Sequence, residues 1–145
     1  MKFRIRIPFV EELGFELLRF DGGEAEIGLE PHAEHMNSLN VLHGGVVMTL
    51  LDVAMAHAAR SPREGAAHDA RGVVTVEMKT SFMRPGVGSM RAHGRLLTQT
   101  KTLAFCEASL FGGGGELVAH ATGTFKYLRP QPTGERQVLR RDGSD

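Results

Sequence analysis

Tryptophan is absent from the 145 residues and tyrosine occurs once, so the chain cannot assemble an aromatic platform for stacking bases. A single cysteine, Cys106, excludes an intramolecular disulfide framework and an all-thiolate metal site, and it suits a reducing cytosol. Positive charge is not in excess. Seventeen Lys and Arg against seventeen Asp and Glu leave no overall field to draw in nucleic acid or an anionic membrane. A long hydrophobic run is also missing: the most apolar stretch, residues 46–59, falls short of the ~20 residues that a membrane-spanning helix needs, and it carries Asp52. Near the N-terminus, Arg4, Arg6 and Pro8 interrupt the chain before the apolar core of a signal peptide could develop. These absences lead us to expect a cytoplasmic protein with no nucleic-acid or membrane partner and no metal.

What is present suits one globular domain, with 41% hydrophobic and 23% charged residues. We expect that domain to span residues 1–128, followed by a polar, mobile tail over residues 129–145, where charge, Pro and Gly dominate. Residues 11–20 and 24–29 flank Asp21-Gly22-Gly23, a turn signal, and read as two strands of a hairpin. Residues 31–42 are irregular and polar. Residues 44–60 predict a helix that is apolar at nearly every angle, which other elements must enclose. Strands are then predicted over residues 73–83, 89–100, 103–111 and 116–128, with Pro85-Gly86 and the four glycines 112–115 among the breaks. In the first of these, alternation puts Val74, Val76, Met78 and Phe82 on one face, and Thr75, Glu77, Lys79 and Ser81 on the other. The order predicts an α+β fold, an antiparallel sheet of five or six strands wrapped around one long buried helix. One helix cannot fill the concave side, so a second copy is expected to extend the sheet.

The chemistry concentrates in residues 37–52. Gly44 and Gly45 stand where the helix begins, and a helix start presents unpaired N–H groups and a partial positive charge. Without a Cβ, a ligand oxygen can come close, giving an oxyanion site, although two glycines also simply permit a tight turn. Asp52 has only apolar or small neighbours one helical turn away, Met48, Thr49, Met55 and Ala56. Burying an unpaired carboxylate costs several kcal/mol or raises its pKa, so it calls for a task or a partner in a neighbouring loop. The eight positions from Gly44 to Asp52 span roughly 12 Å of helix. One reacting carbon cannot touch both within one chain, because reacting groups must lie ~3 Å away. If both act on one substrate, two subunits share the site.

His43 could orient the loop or hydrogen-bond a substrate, and Asn37 could donate its amide to a carbonyl or satisfy backbone groups of a turn. His32 and His35 lie in a Pro-containing loop with no metal-ligand spacing and read as exposed; His57, His68, His93 and His120 show none either. Cys106, mid-strand among apolar residues, reads as inert packing.

The spacing Asn37-x5-His43-Gly44-Gly45-x6-Asp52 resembles the active-site signature of hotdog-fold acyl-CoA thioesterases of the phenylacetate-degradation and 4-hydroxybenzoyl-CoA thioesterase branch. The similarity extends to residues 72–78, to Phe82-Met83-Arg84-Pro85-Gly86, and to the strands beyond. The resemblance implies that the Gly44 amide holds the thioester carbonyl with help from Asn37, and that His43 supports the loop. It implies that Asp52 of the partner chain is general base or nucleophile and that Thr75 stands where relatives carry a water-orienting serine. Phe82, Met83, Arg84, Pro85 and Gly86, together with Thr100, Lys101 and Thr102, correspond to stretches lining a coenzyme A groove. Coenzyme A is then part of the substrate and no separate cofactor is expected. The expected assembly is a homodimer with shared sites, paired again as a dimer of dimers. The alternatives are a non-catalytic acyl-CoA-binding protein and a hotdog dehydratase or hydratase.

Overall fold

The computed structural model describes residues 1–65, 69 and 71–129. Nearly all of the expected tail, from residue 130 onward, and His68 lie outside the described residues. The elements follow as α1 (Pro8–Leu13), β1 (Glu16–Asp21), β2 (Glu24–Leu29), a 3-10 turn (Ala33–His35), α2 (Gly44–Arg60), β3 (Val73–Phe82), β4 (Met90–Gln99), β5 (Leu103–Phe111) and β6 (Leu117–Tyr127). The six strands form one antiparallel sheet in the order β1-β2-β4-β5-β6-β3, with α2 packed on its inner face. Among the described residues no helix is long and apolar enough to cross a membrane.

Small residues on the inner face set how closely α2 can approach. Ala92 and Gly94 of β4, Ala104 and Ala108 of β5, and Ala119, Ala121 and Gly123 of β6 are buried there. At Gly94 the helix backbone itself fills the space: a Cβ would stand 2.3 Å from the Ala54 carbonyl oxygen. Leu50, Leu51, Ala54, Met55 and Ala58 of α2 are fully buried in this core. The helix is not enclosed on every side, however. Gly45 and Met48 are exposed, and Thr49, Asp52 and Ala56 are half-buried, leaving one stripe along its axis uncovered by its own sheet.

Three expectations need correction. The strand expected from residue 11 begins only at Glu16, because Pro8–Leu13 forms α1. Proline opens that helix with a preset φ, and Gly14 closes it in the left-handed region at φ 78°, its N–H reaching the Glu11 and Val10 carbonyls. The second correction concerns faces. A bulge between Thr75 and Glu77 inserts Val76 as an extra residue and reverses the alternation beyond it. Thr75, Met78, Thr80 and Phe82 stand opposite the inward Phe125, Gly123, Ala121 and Ala119 and so share the inner face, while Val74, Glu77, Lys79 and Ser81 point outward. Third, His35 is buried, at 2% exposure, rather than solvent-facing.

Strand β3 is the sheet's edge and is exposed along most of its ten residues, including Val74, Val76 (57%) and Phe82 (54%). A long apolar edge with unpaired backbone groups is a surface that proteins cover.

Candidate active site

Hydrogen bonds fix the loop leading into α2 to two other parts of the chain, the end of α1 and the Phe82–Gly86 stretch. The His35 ring accepts the His32 N–H at Nδ1 and donates from Nε2 to the Leu13 carbonyl at the end of α1, 2.9 Å each. The His35 carbonyl in turn accepts the His43 N–H at 2.9 Å. Asn37 Oδ1 accepts two backbone N–H groups, from Leu39 at 2.9 Å and Val41 at 3.2 Å. That orientation leaves its Nδ2 as a donor with no acceptor among the described residues. Leu42 N–H binds the Gly86 carbonyl at 3.0 Å, which brings the Phe82–Gly86 stretch beside the helix start. Two further bonds, from the Met83 and Arg84 N–H groups to the Val118 carbonyl, hold that stretch to β6.

At the helix start, the N–H groups are not equivalent. His43 is the N-cap, and its Nδ1 accepts the Gly45 N–H at 2.8 Å. Val46 and Val47 donate to the His43 carbonyl. The Gly44 N–H finds no acceptor among the described residues, and no acidic side chain stands in the first turn to neutralise the helix's positive end. Phe82 flanks it: a Cβ on Gly44 would lie 3.4 Å from the ring. One donor is therefore left free at a positive helix end beside an apolar wall. That arrangement can polarise a carbonyl.

Two turns along the helix, Asp52 accepts the Thr75 hydroxyl hydrogen bond at 2.6 Å. The Val76 bulge is what turns Thr75 inward to make this contact. Burial pushes the Asp52 pKa up from the ordinary carboxylate value, while the Thr75 hydrogen bond opposes the shift. Because the folded value is raised, the ionised form costs stability. That cost is absent below the unfolded value of about 4 and grows as pH rises through the folded value. Replacing Asp52 with Asn should therefore raise Tm at pH 7, and the gap over wild type should close toward pH 3; thermal melts across that range measure it.

Asp52 and Thr75 also line a cavity of about 520 Å³ shared with Val53, Ala56, Val73 and Val74. Arg84 donates from its guanidinium to the Leu117 carbonyl at 2.8 Å. Thr100, Lys101 and Thr102 form the β4–β5 turn, with the Thr100 Oγ1 accepting the Thr102 and Leu103 N–H groups and the Lys101 side chain exposed. This turn lies at the Val73 end of the sheet and the Phe82–Gly86 stretch at the other, about 30 Å apart along β3. One chain thus does not bring the two stretches of the expected groove together. It also leaves Gly44 and Asp52 roughly 12 Å apart. Cys106 is buried, its thiol pushed up to about 12, and is unreactive.

Reasoning from sequence missed His35, whose two ring bonds set the register of the loop. The spacing His32-x-x-His35 around a short turn was its one available signal, since each residue's side chain or backbone caps the other.

Residues 39–119 match the family model described as the thioesterase superfamily. A conserved protein of Pseudomonas aeruginosa has a similar structure at 31% identity and a TM-score of 0.78, over 86% of this chain and 97% of that one. The phenylacetic acid degradation protein PaaI of Thermus thermophilus, solved as a point mutant, is 29% identical with a TM-score of 0.72, over 84% and 100% of the two chains. A Bacillus halodurans protein solved with CoA is 29% identical with a TM-score of 0.75, over 88% and 83%. The sheet wrapped on one long helix is the hotdog arrangement of these relatives.

Proposed function

Since the chain belongs to the thioesterase superfamily and is a thioester hydrolase, we propose that it hydrolyses acyl-CoA thioesters at sites shared between two copies of itself. The symmetry of the uncovered helix stripe carries this reading. Gly44, Met48 and Asp52 lie at successive i, i+4 positions on one face of α2. Met48, the exposed apolar residue, stands midway between the free amide and the carboxylate. A two-fold axis passing by Met48 sets two such helices antiparallel and puts the partner's Asp52 at the height of Gly44. The same axis pairs the exposed β3 edge with its twin, covering Val74 and Val76. It also carries the partner's Thr100, Lys101 and Thr102 to the end where Phe82, Met83, Arg84, Pro85 and Gly86 lie, joining the two halves of a coenzyme A groove. The ammonium of Lys101 suits a phosphate there. A CoA-bound relative supports that ligand class.

In this dimer the Gly44 N–H, with the Asn37 amide, receives the thioester oxygen, and His43 holds the loop through Gly45. The partner's Thr75 orients water beside the partner's Asp52, to which it is hydrogen-bonded, and that carboxylate takes a proton as the water oxygen bonds to the carbonyl carbon. The oxyanion then collapses, the C–S bond breaks, and the thiolate recovers that proton, giving free acid and CoA-SH. A carboxylate with a raised pKa is a stronger base than an exposed one, which favours this role over direct attack. Pairing of dimers into a tetramer leaves both shared sites intact. A lone, buried thiol fits a cytoplasmic setting.

Thiol release from a panel of aliphatic and aromatic acyl-CoAs tests the proposal, and a thiol reagent will read CoA because Cys106 is buried. Release from members of the panel supports hydrolysis. Loss of water from a 3-hydroxyacyl-CoA without thiol release would mark a dehydratase, and CoA binding without turnover would mark a binding protein.

A further inference from the structure

The cavity beside Asp52 continues past the carboxylate. It runs from Asp52 and Thr75 past Ala56 to Arg60, the last residue of α2. Asp52, Ala56 and Arg60 follow at four-residue steps on one helix face, so this floor is about 12 Å long. Val73 and Leu128 line it as well. The remaining wall comes from a segment outside both sheet and helices: Ile5 and Ile7, each half-buried, line the same cavity, with the exposed Arg6 between them. That segment is tied down on both sides. The Met1 ammonium donates to the Leu17 carbonyl at 3.1 Å, buried Phe3 packs edge-on to the His57 ring at 5.1 Å, and Arg6 pairs with Glu11 at 3.2 Å. His57, the imidazole in the wall, is uncharged at neutral pH. Burial pushes its pKa down to about 4, and its Nδ1 donates to the Val53 carbonyl. The Arg60 guanidinium at the far end donates to the Arg71 carbonyl at 2.8 Å.

We propose that this cavity receives the acyl chain of the thioester and that Ile5 and Ile7 set the longest chain it accepts. The proposal rests on the thioesterase reading and names the substrate class within it: unbranched, uncharged acyl groups. An extended chain advances about 1.2 Å per bond, as the polypeptide backbone does, so a 12 Å floor holds about ten carbons. Each methylene buried before the wall is reached should raise kcat/KM about fourfold. Beyond it the gain stops, because the added carbons meet Ile5 and Ile7 or remain in water.

The test is kcat/KM across saturated acyl-CoAs from four to sixteen carbons. Wild type should climb to about ten carbons and then level or fall. Ile5→Ala combined with Ile7→Ala should move the maximum to longer chains by about two carbons or more, and Ile7→Trp should move it to shorter ones. Maxima that coincide in all three proteins would overturn the proposal. If the double variant does not fold, Ile7→Trp alone decides. A wild type that releases no CoA from any member would refute the thioesterase reading, not the wall. Affinities of S-alkyl-CoA thioethers, measured by calorimetry, then read the wall without turnover. Affinity that rises with chain length up to about ten carbons supports it, and length-independent affinity overturns it.

Discussion

Asp52→Asn should lower kcat by about 10²- to 10⁴-fold, the range of a general base, while CoA binds within about threefold of wild type. Asparagine matches aspartate in shape and keeps an oxygen to accept the Thr75 hydroxyl hydrogen bond, so the fold has little reason to change. What is lost is the capacity to take a proton. In wild type, kcat/KM should rise with pH through a value above the usual carboxylate range, since burial raises the Asp52 pKa. The variant's residual rate should lose that acid limb. A variant with a wild-type rate and profile would place the base elsewhere.

Gly44→Pro should cost about 10²- to 10³-fold in kcat, the usual effect of removing one oxyanion donor, and leave Tm unchanged or slightly higher. The substitution is unusually clean at this position. Proline favours the first position of a helix, and the residue before it must be extended, as His43 already is at φ −60° and ψ 136°. Gly44 is not among the residues with positive φ, and a Cβ there meets only the Phe82 ring at ordinary contact distance. The N–H removed has no acceptor among the described residues, so no hydrogen bond within them is lost. Gly44→Ala, which keeps the N–H, should lose less. A proline variant with a wild-type kcat would remove Gly44 from the mechanism.

Much of this was legible in the residues because the signals were local. The limits of α2 follow from His43-Gly44-Gly45 at one end and Ser61-Pro62 at the other, and its apolar content required a sheet that wraps it. Strand β5 alternates in burial from end to end, and turns separate β4, β5 and β6. Features that depend on distant partners were not legible. The Val76 bulge adds one residue to a strand whose neighbours still alternate, and only the pairing with β6 shows that Thr75 turns inward toward Asp52. Pro8–Leu13 is too short for a helical period to stand out. His35 is buried because its ring finds the carbonyl of Leu13, twenty-two residues earlier. The two stretches expected in one groove share no local signal of being at opposite ends of the sheet; strand direction alone decides that.

The central claim is that each site takes its amide from one chain and its carboxylate from another. Co-expressing differently tagged Asp52→Asn and Gly44→Pro chains tests it directly. Random pairing makes half of the dimers mixed, and each mixed dimer holds one site with both intact groups. The mixture should therefore recover about a quarter of wild-type activity from two nearly inactive proteins. A mixture no more active than either variant alone, with mixed dimers shown to be present, would contradict the shared site.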